Sequence, residues 1–223
     1  MEKVIHIIPT PIGNLEDITL RAIRLLKESN LILAEDTRTT SKLLKKYDIN
    51  TKMLSYHSFN EHRILKEVIQ KVINGEKLTL VSDAGTPGIS DPGFLLIREC
   101  IKNNISVICL PGPTACIPAL IQSGIPCDRF IFEGFLPVKK GRKNRLSNII
   151  NEKTTSIIYE SPHRIIKTLK ELYTLCPDRQ IVVLKELTKI HETTYRGSII
   201  DIISIISQSK IKGEFIIILH GKN

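Results

Sequence analysis

The chain has 223 residues, of which 42% are hydrophobic and 25% charged, a composition that excludes intrinsic disorder and allows one large or two small domains. The net charge of +9 is concentrated in residues 113–223, which carry 17 Lys and Arg against 10 Asp and Glu, whereas residues 1–112 carry 15 against 13. Five cysteines without Cys-x-x-Cys spacing indicate reduced thiols and neither a disulfide framework nor a zinc site. No apolar run reaches the length of a membrane span or a signal peptide, so we expect a cytoplasmic protein with no membrane partner.

Residues 4–125 alternate short apolar runs with helix-like segments, which indicates a largely parallel sheet covered by helices. The first helix is predicted after the possible caps Asp17 and Thr19. The helix that starts near Phe94 is expected to have Asp91 as its cap and Pro92 in its first position. The predicted strands are residues 4–8, 31–34, 53–56, 78–81 and 107–110, and the predicted helices are residues 20–27, 39–47, 61–74 and 94–103.

The second half of the chain also alternates strand and helix signals, with strands predicted at residues 130–133, 155–160, 181–186, 193–196 and 215–219. Helices are predicted at residues 161–176 and 198–207. The segment Gly134–Val138 contains glycine and proline and is the best linker candidate. We therefore predict an α/β fold of two α/β domains, an N-terminal one at residues 1–134 and a C-terminal one at residues 135–223.

Three predicted strand ends are unusually rich in proline and glycine: Pro9–Gly13, Gly85–Gly93 and Pro111–Ala115. Loops of this kind present backbone N–H and C=O groups to a small ligand at the carboxyl edge of a sheet. The longest of them is equally consistent with an elaborate turn. The glycine-rich signatures of dinucleotide and P-loop sites are missing, so the sequence predicts a pocket without a phosphate site.

Six segments that occur in order along the chain form a recognisable set: Pro9–Thr19, Ala34–Arg38, Ser82–Gly93, Pro111–Ala115, Phe132–Pro137 and Tyr159–Arg164. Together they resemble the tetrapyrrole-methylase (class III) family, and within it the enzymes that methylate small-subunit ribosomal RNA. The resemblance covers essentially the whole chain. Two of the segments, Ser82–Gly93 and Tyr159–Arg164, distinguish it from the cobalamin and diphthamide enzymes of the same family.

The resemblance implies two α/β domains with S-adenosylmethionine held in a cleft between them, and a homodimer. It also implies 2′-O-methylation of a cytidine ribose in the decoding region of 16S rRNA within the small ribosomal subunit. Thr86 departs from the wider fold, which carries an aspartate in a Gly-Asp-Pro motif there, and the usual helical C-terminal extension is absent. The implied cofactor contacts are Pro11, Ile12, Gly85, Thr86, Pro87, Ile89, Ser90, Thr114, Ala115 and Tyr159.

The basic run Lys139–Arg145 is either a solvated face or a contact with the phosphate backbone of RNA, and the RNA reading is favoured beside a domain junction. The residues predicted to bind RNA are Lys139, Lys140, Arg142, Lys143, Arg145 and Arg164.

Polar residues at strand ends are candidates for activating the ribose hydroxyl, which is a poor nucleophile without a base. We select Asp36 or Glu35 as the base, with Arg38 beside them. Each has a structural alternative, because the three residues are also suited to an ion pair or a helix cap. No paired spacing of ligand residues supports a metal. The further candidates are His57, Asn60, Glu61, His163, Arg164, Glu186 and His191.

Two alternative functions remain at this point. One is a class III methyltransferase of a small, tetrapyrrole-like molecule, against which the basic second half and the segment Tyr159–Arg164 argue. The other is a non-catalytic RNA-binding or ribosome-assembly factor that retains a relic cofactor pocket, which the absent C-terminal extension favours.

Overall fold

A computed structural model describes residues 3–208 and 210–222 of the chain. The chain folds into two compact units, Met1–Thr114 and Ala115–Asn223. Each unit contains a five-stranded sheet with helices, which confirms the predicted α/β class. Within the described residues, no helix combines the length and the apolar character that a membrane span requires.

The first unit contains five strands, β1 Val4–Ile7, β2 Leu31–Ala34, β3 Met53–Ser55, β4 Leu78–Val81 and β5 Ser106–Cys109. They form an entirely parallel sheet in the order β3-β2-β4-β1-β5. The strands confirm the predicted alternation, and β4 is buried along its whole length because it lies at the centre of the sheet.

Helices cover both faces of this sheet, α1 (Leu20–Glu28) and α2 (Thr37–Lys46) on one face and α3 (Glu61–Ile73) and α4 (Phe94–Lys102) on the other. The buried residues of α1 and α2 share one apolar cluster, and those of α3 and α4 share another. Thr19 caps α1, as predicted, by accepting the Ala22 N–H at 3.1 Å. All the loops that follow the strands leave the sheet at its carboxyl edge, because the strands are parallel.

The predicted cap of α4 is wrong. The helix begins at Phe94, so Gly93 rather than Asp91 is its N-cap residue, and Pro92 precedes the helix instead of occupying its first position. Gly93 has φ +138°, and a Cβ there would lie 2.9 Å from the Leu80 side chain, so the chain turns into α4 at a position that favours glycine.

The strands of the second unit are β6 Phe130–Phe135, β7 Thr155–Glu160, β8 Ile181–Lys185, β9 Thr193–Gly197 and β10 Phe215–Leu219. They form a mixed sheet in the order β6-β7-β10-β8-β9, in which only the β6–β7 pair is parallel. The helices of this unit are α5 Cys116–Ser123, α6 Arg142–Asn151, α7 Ile165–Leu175 and α8 Ile199–Ser207.

The region around residue 134 differs from the sequence expectation in two ways. The linker candidate overlaps β6, which pairs with β7 of the second sheet, and the compact units divide at residues 114 and 115. The domain division at residues 134 and 135 stays a prediction. Most of the basic run forms the start of α6, a helix that the sequence pattern does not predict. The buried residues of α6 are Arg142, Leu146 and Ile149. Because the first of them is charged, the apolar periodicity that would indicate a helix is incomplete.

Candidate active site at the carboxyl edge of the first sheet

The loops after β1 and β4 are joined into one structure. The backbone N–H of Thr10 donates to the Gly85 carbonyl at 2.9 Å, and the Gly85 N–H donates back to Thr10 at 2.8 Å. The buried Thr10 hydroxyl donates to the Ser82 carbonyl at 2.9 Å. These bonds extend the β1–β4 contact past the ends of the strands, so the two loops form a rigid wall above the sheet edge.

The loop after β5 closes on the same wall. The Thr86 hydroxyl donates to the Pro113 carbonyl at 3.2 Å. A Cβ on Gly112 would lie 2.9 Å from Cβ of Pro9, so the loops after β1 and β5 approach to a distance that only glycine permits. Thr86 therefore links two loops through its hydroxyl, a role that a carboxylate could not take because it has no proton to donate at neutral pH.

The predicted cofactor residues of the first unit lie on these three loops. Pro11 and Ile12 are half-buried after β1, and Ile12 Cγ2 lies 3.5 Å from where a Cβ of Gly85 would be. In the β4 loop Pro87 is buried, whereas Ile89 is 44% exposed and Ser90 is exposed with φ +66°. A serine in the left-handed region costs conformational energy, which is typical of functional loops. Thr114 ends the first unit and Ala115 begins the second, both half-buried.

Acidic residues from two neighbouring strand ends meet beside this wall. The Asp36 N–H donates to Oδ1 of Asp83 at 3.1 Å, and the Asp83 N–H donates to Oε2 of Glu35 at 3.3 Å. The loops after β2 and β4 thus hold each other through both backbone and carboxylates. Asp83 was not among the sequence candidates, because its place beside Glu35 depends on β2 and β4 being neighbours in the sheet.

Asp36 and Arg38 form the ion pair and the helix cap that the sequence offered as the alternative to a catalytic role. Oδ1 of Asp36 accepts the Arg38 N–H at 2.8 Å and starts α2, and Nη2 of Arg38 lies 2.6 Å from Oδ2 of Asp36. Hydrogen bonds from the side chain and the backbone of Arg38 lower the pKa of Asp36 to about 2. An acid of that strength is a poor proton acceptor near neutral pH.

Glu35 has the opposite electrostatic character. Burial raises the pKa of Glu35 above its ordinary value, against the hydrogen bond from the Asp83 N–H, and the negative charge of Asp83 raises it further. Asp83 is exposed as a residue, but its carboxylate turns toward the β2 loop, and this partial desolvation raises its pKa as well. Two carboxyls with raised pKa values therefore lie next to one whose pKa is lowered, which is the separation that acid and base roles require.

The residues after β3 mainly stabilise their own loop. Asn60 accepts the His57 N–H at 2.9 Å and donates to the Ser55 carbonyl at 2.9 Å. His57 packs edge-on against Phe59, and its proximity to Glu35 opposes the rise in the pKa of Glu35 that burial causes. Glu61 lies 3.4 Å from the Tyr56 hydroxyl at the start of α3.

The second unit holds the remaining candidates. Tyr159 lies on β7, where its ring packs edge-on against Phe132 and Phe135 at centroid distances of 4.9 and 5.7 Å. His163 and His191 are exposed. Glu186 is paired with Lys189 at 2.8 Å, and although burial opposes the change, that bond and the Glu214 N–H lower the pKa of Glu186. No group of three or more His, Cys, Asp or Glu side chains in residues 3–208 and 210–222 could hold a metal ion.

The predicted RNA-binding residues divide into two groups. Lys139, Lys140 and Lys143 are exposed. The three arginines are bonded within the unit: Arg142 is 4% exposed and pairs with Glu171, Arg145 pairs with Glu133, and Arg164 pairs with the buried Glu160.

Comparison with known proteins places this arrangement in a family. The sequence profile described as Tetrapyrrole (Corrin/Porphyrin) Methylases matches residues 4–203. The chain belongs to the tetrapyrrole methylase family. This methylase is 46% identical over 220 residues to "Ribosomal RNA small subunit methyltransferase I" of Synechocystis sp., covering 98% of the chain and 79% of the relative. It is 44% identical over 222 residues to the protein of the same name from Thermotoga maritima, covering 100% of both.

Solved structures show the same fold at low sequence identity. Diphthine synthase aligns with a TM-score of 0.76 and 9% identity, covering 97% of this methylase and 90% of that chain. The uroporphyrin-III C-methyltransferase of Thermus thermophilus, complexed with S-adenyl homocysteine, aligns with a TM-score of 0.65 and 18% identity, covering 97% and 96%. The predicted tetrapyrrole-methylase fold is therefore confirmed.

Proposed function

We propose that this methylase transfers a methyl group from S-adenosylmethionine to the ribose 2′-oxygen of a cytidine in the decoding region of 16S rRNA, within the small ribosomal subunit. The observation that carries the proposal is identity of 44–46% over nearly the whole chain with relatives named as small-subunit ribosomal RNA methyltransferases. The homodimer implied by the family resemblance and the cytoplasmic location expected from the sequence are part of the same proposal.

The loops of the first unit suit this cofactor by their chemistry. Pro9–Gly13, Ser82–Gly93 and Pro111–Ala115 contain no Lys, Arg or His, and the only charged residues in them are Asp83 and Asp91. S-adenosylmethionine supplies a methyl group on a positively charged sulfur, and carboxylates near a cation favour it electrostatically. Backbone groups of the three loops would hold the uncharged adenosine, with Tyr159 of the second unit as a further predicted contact.

Glu35 is the proton acceptor that we propose for the 2′-hydroxyl. Its raised pKa makes it a stronger base than Asp36, whose carboxylate is already occupied by Arg38 and by the start of α2. The Asp83 N–H fixes Oε2 of Glu35 and leaves Oε1 as the oxygen for the incoming hydroxyl. Asp36 and Arg38 then act by positioning the β2 loop, through the bond from the Asp36 N–H to Asp83.

RNA contact by the second unit is proposed for the exposed lysines of the basic run, Lys139, Lys140 and Lys143. An exposed lysine can neutralise a phosphate and release its counterion at little cost in desolvation. The arginines Arg142, Arg145 and Arg164 would first have to give up their carboxylate partners.

A label-transfer assay tests the proposal against its alternatives. The protein is incubated with S-adenosylmethionine labelled in the methyl group and, separately, with unmethylated small ribosomal subunits, free 16S rRNA or a small-molecule extract. We expect label in the RNA of the subunits. Label in the extract alone would favour a small-molecule methyltransferase, and bound cofactor without label in any sample would favour a non-catalytic factor. Sedimentation of the cofactor-loaded protein tests the homodimer.

A further inference from the structure

The charge of the first unit is unevenly distributed between the two faces of its sheet. Helices α1 and α2, which cover one face, carry seven Lys and Arg against the single acidic residue Glu28. Helices α3 and α4, on the other face, carry five Lys and Arg against three Glu. Residues 1–112 are nearly neutral as a whole, so the basic face was not apparent from composition.

Helix α2 is the most basic element of that face. It has no acidic residue, and Arg38, Lys42, Lys45 and Lys46 are all exposed. At 3.6 residues per turn, the first three lie within about 60° of one another around the helix axis, and Lys46 lies about 80° from Arg38. The resulting stripe is about 12 Å long, a distance over which a nucleic-acid strand passes about three phosphates.

The lysines of the stripe are available to a partner. Among the residues that the structure describes, Lys42, Lys45 and Lys46 form no salt bridge, whereas Lys71 and Lys102 on the opposite face lie 3.6 and 3.4 Å from glutamates. The apolar side of α2, Leu43 and Leu44, is already buried in the core of the unit. The helix therefore has no free apolar face for insertion into a membrane, which favours a hydrophilic polyanion.

The stripe starts at the candidate active site. Arg38 is its first residue, and it is bonded to Asp36, which in turn bonds to Asp83 beside Glu35. Helix α1 lies on the same face and adds the exposed Arg21 and Lys27, whereas its Arg24 pairs with Glu28 at 3.0 Å. The Tyr47 hydroxyl at the end of α2 donates to the Leu15 carbonyl before α1 at 2.6 Å, which fixes the two segments together.

We propose that the exposed face formed by α1 and α2 binds the phosphate backbone of the substrate RNA next to the nucleotide that is methylated. This inference rests on the proposed function, and it adds a second RNA contact to the one proposed for the basic run. The stripe directs the RNA strand away from the carboxyl edge of the sheet along α2.

The test compares two variants that lose the same charge. The stripe variant is Lys42→Gln, Lys45→Gln and Lys46→Gln, and the control is Lys66→Gln, Lys71→Gln and Lys102→Gln on the opposite face. Glutamine has a helix propensity close to that of lysine, so both variants are expected to fold. Binding to unmethylated small ribosomal subunits is measured by co-sedimentation over a series of salt concentrations, and calorimetry with S-adenosylmethionine checks the fold of each variant.

For wild type, log K is expected to fall linearly with log salt concentration. The stripe variant should have a slope shallower by about 2, from three lost contacts at about 0.7 each, and up to about 100-fold weaker binding at 0.1 M salt. The control should retain the wild-type slope within experimental error. Equal losses in both variants would mean that only net charge matters, and would overturn the inference, as would a stripe variant that binds like wild type.

Two further outcomes distinguish RNA binding by this face from a failure of the proposed function and from membrane binding. If wild type itself neither binds nor methylates small subunits, the proposed function fails, and this is seen without any variant. Anionic phospholipid vesicles serve as a second probe. If the stripe variant loses vesicle binding while its subunit binding is unchanged, the surface recognises a membrane and the RNA inference is wrong.

Discussion

Arg142 provides a sharp prediction because it stands in a basic run but is buried. We expect Arg142→Ala to destabilise the protein strongly, whereas Lys143→Ala, the same truncation one residue later, should leave stability nearly unchanged. Arg142 is 4% exposed, and Lys143 is exposed. The guanidinium of Arg142 joins α6 to α7 and to the segment after β6, through Glu171, Thr168 and the Pro137 carbonyl.

The expected magnitude follows from what the substitution leaves behind. Arg142 donates to Glu171 at 2.9 and 2.6 Å, to the Thr168 hydroxyl at 2.7 Å and to Pro137 at 3.1 Å. Removing one partner of a buried ion pair costs about 3–5 kcal/mol. Water can reach Glu171, whose side chain is 30% exposed, and Thr168 keeps its 2.7 Å bond to Glu160, so the lower end, about 3 kcal/mol, applies.

Urea unfolding followed by circular dichroism measures this loss. The midpoint for Arg142→Ala should fall by about 1 M or more at an unchanged slope, and Lys143→Ala should shift stability by less than about 0.5 kcal/mol. Arg142→Lys, which keeps the charge but not the planar fork, should recover part of the loss. If Arg142→Ala is as stable as Lys143→Ala, the buried network around Arg142 does not hold these elements together.

Three further predictions concern the candidate site and the RNA contact. Glu35→Gln should lower the methylation rate by about 100-fold or more. An unchanged rate would remove Glu35 from the base role. Wild-type activity should fall as the pH drops through the raised pKa of Glu35. The Glu35→Gln variant should be at least as stable as wild type near neutral pH, because burial disfavours the carboxylate that the amide replaces. Gly112→Ala should weaken S-adenosylmethionine binding in calorimetry, because its Cβ would press on the Pro9 ring at 2.9 Å, and wild-type affinity would show that this approach does not shape the site. Replacing the exposed lysines of the basic run with glutamine should flatten the salt dependence of subunit binding by about 2, and an unaltered slope would exclude a phosphate contact at Lys139, Lys140 and Lys143.

The first unit was predictable because strand and helix signals alternate there without interruption. Proline and glycine mark the strand ends, and five parallel strands bring those ends to one edge, so the loops of the candidate site followed from pattern alone. Helix α6 was not predicted, because its buried residues begin with Arg142 and the apolar periodicity appears only from Leu146. From the sequence alone, a buried arginine such as Arg142 cannot be distinguished from an exposed one, because its burial depends on partners that are distant in sequence.

The charged part of the site was predicted only in part for a topological reason. Glu35, Asp36 and Arg38 are adjacent in sequence and were found together. Asp83 joins them only because β4 lies beside β2 in the sheet. The order of strands in a sheet cannot be predicted from local sequence patterns. The separate pKa values of Glu35 and Asp36 likewise depend on burial and on hydrogen-bond partners in three dimensions.

The position of the transferred methyl group decides whether this protein is a ribose 2′-O-methyltransferase of 16S rRNA. A methyl group on the ribose 2′-oxygen removes the nucleophile that cleaves RNA in alkali, so the phosphodiester that follows it survives. Unmethylated small subunits are treated with the protein and methyl-labelled S-adenosylmethionine, and the rRNA is then hydrolysed in alkali. We expect the label in an alkali-stable dinucleotide beginning with cytidine, from the decoding region. Label recovered in mononucleotides, or no label in the rRNA at all, would contradict that assignment.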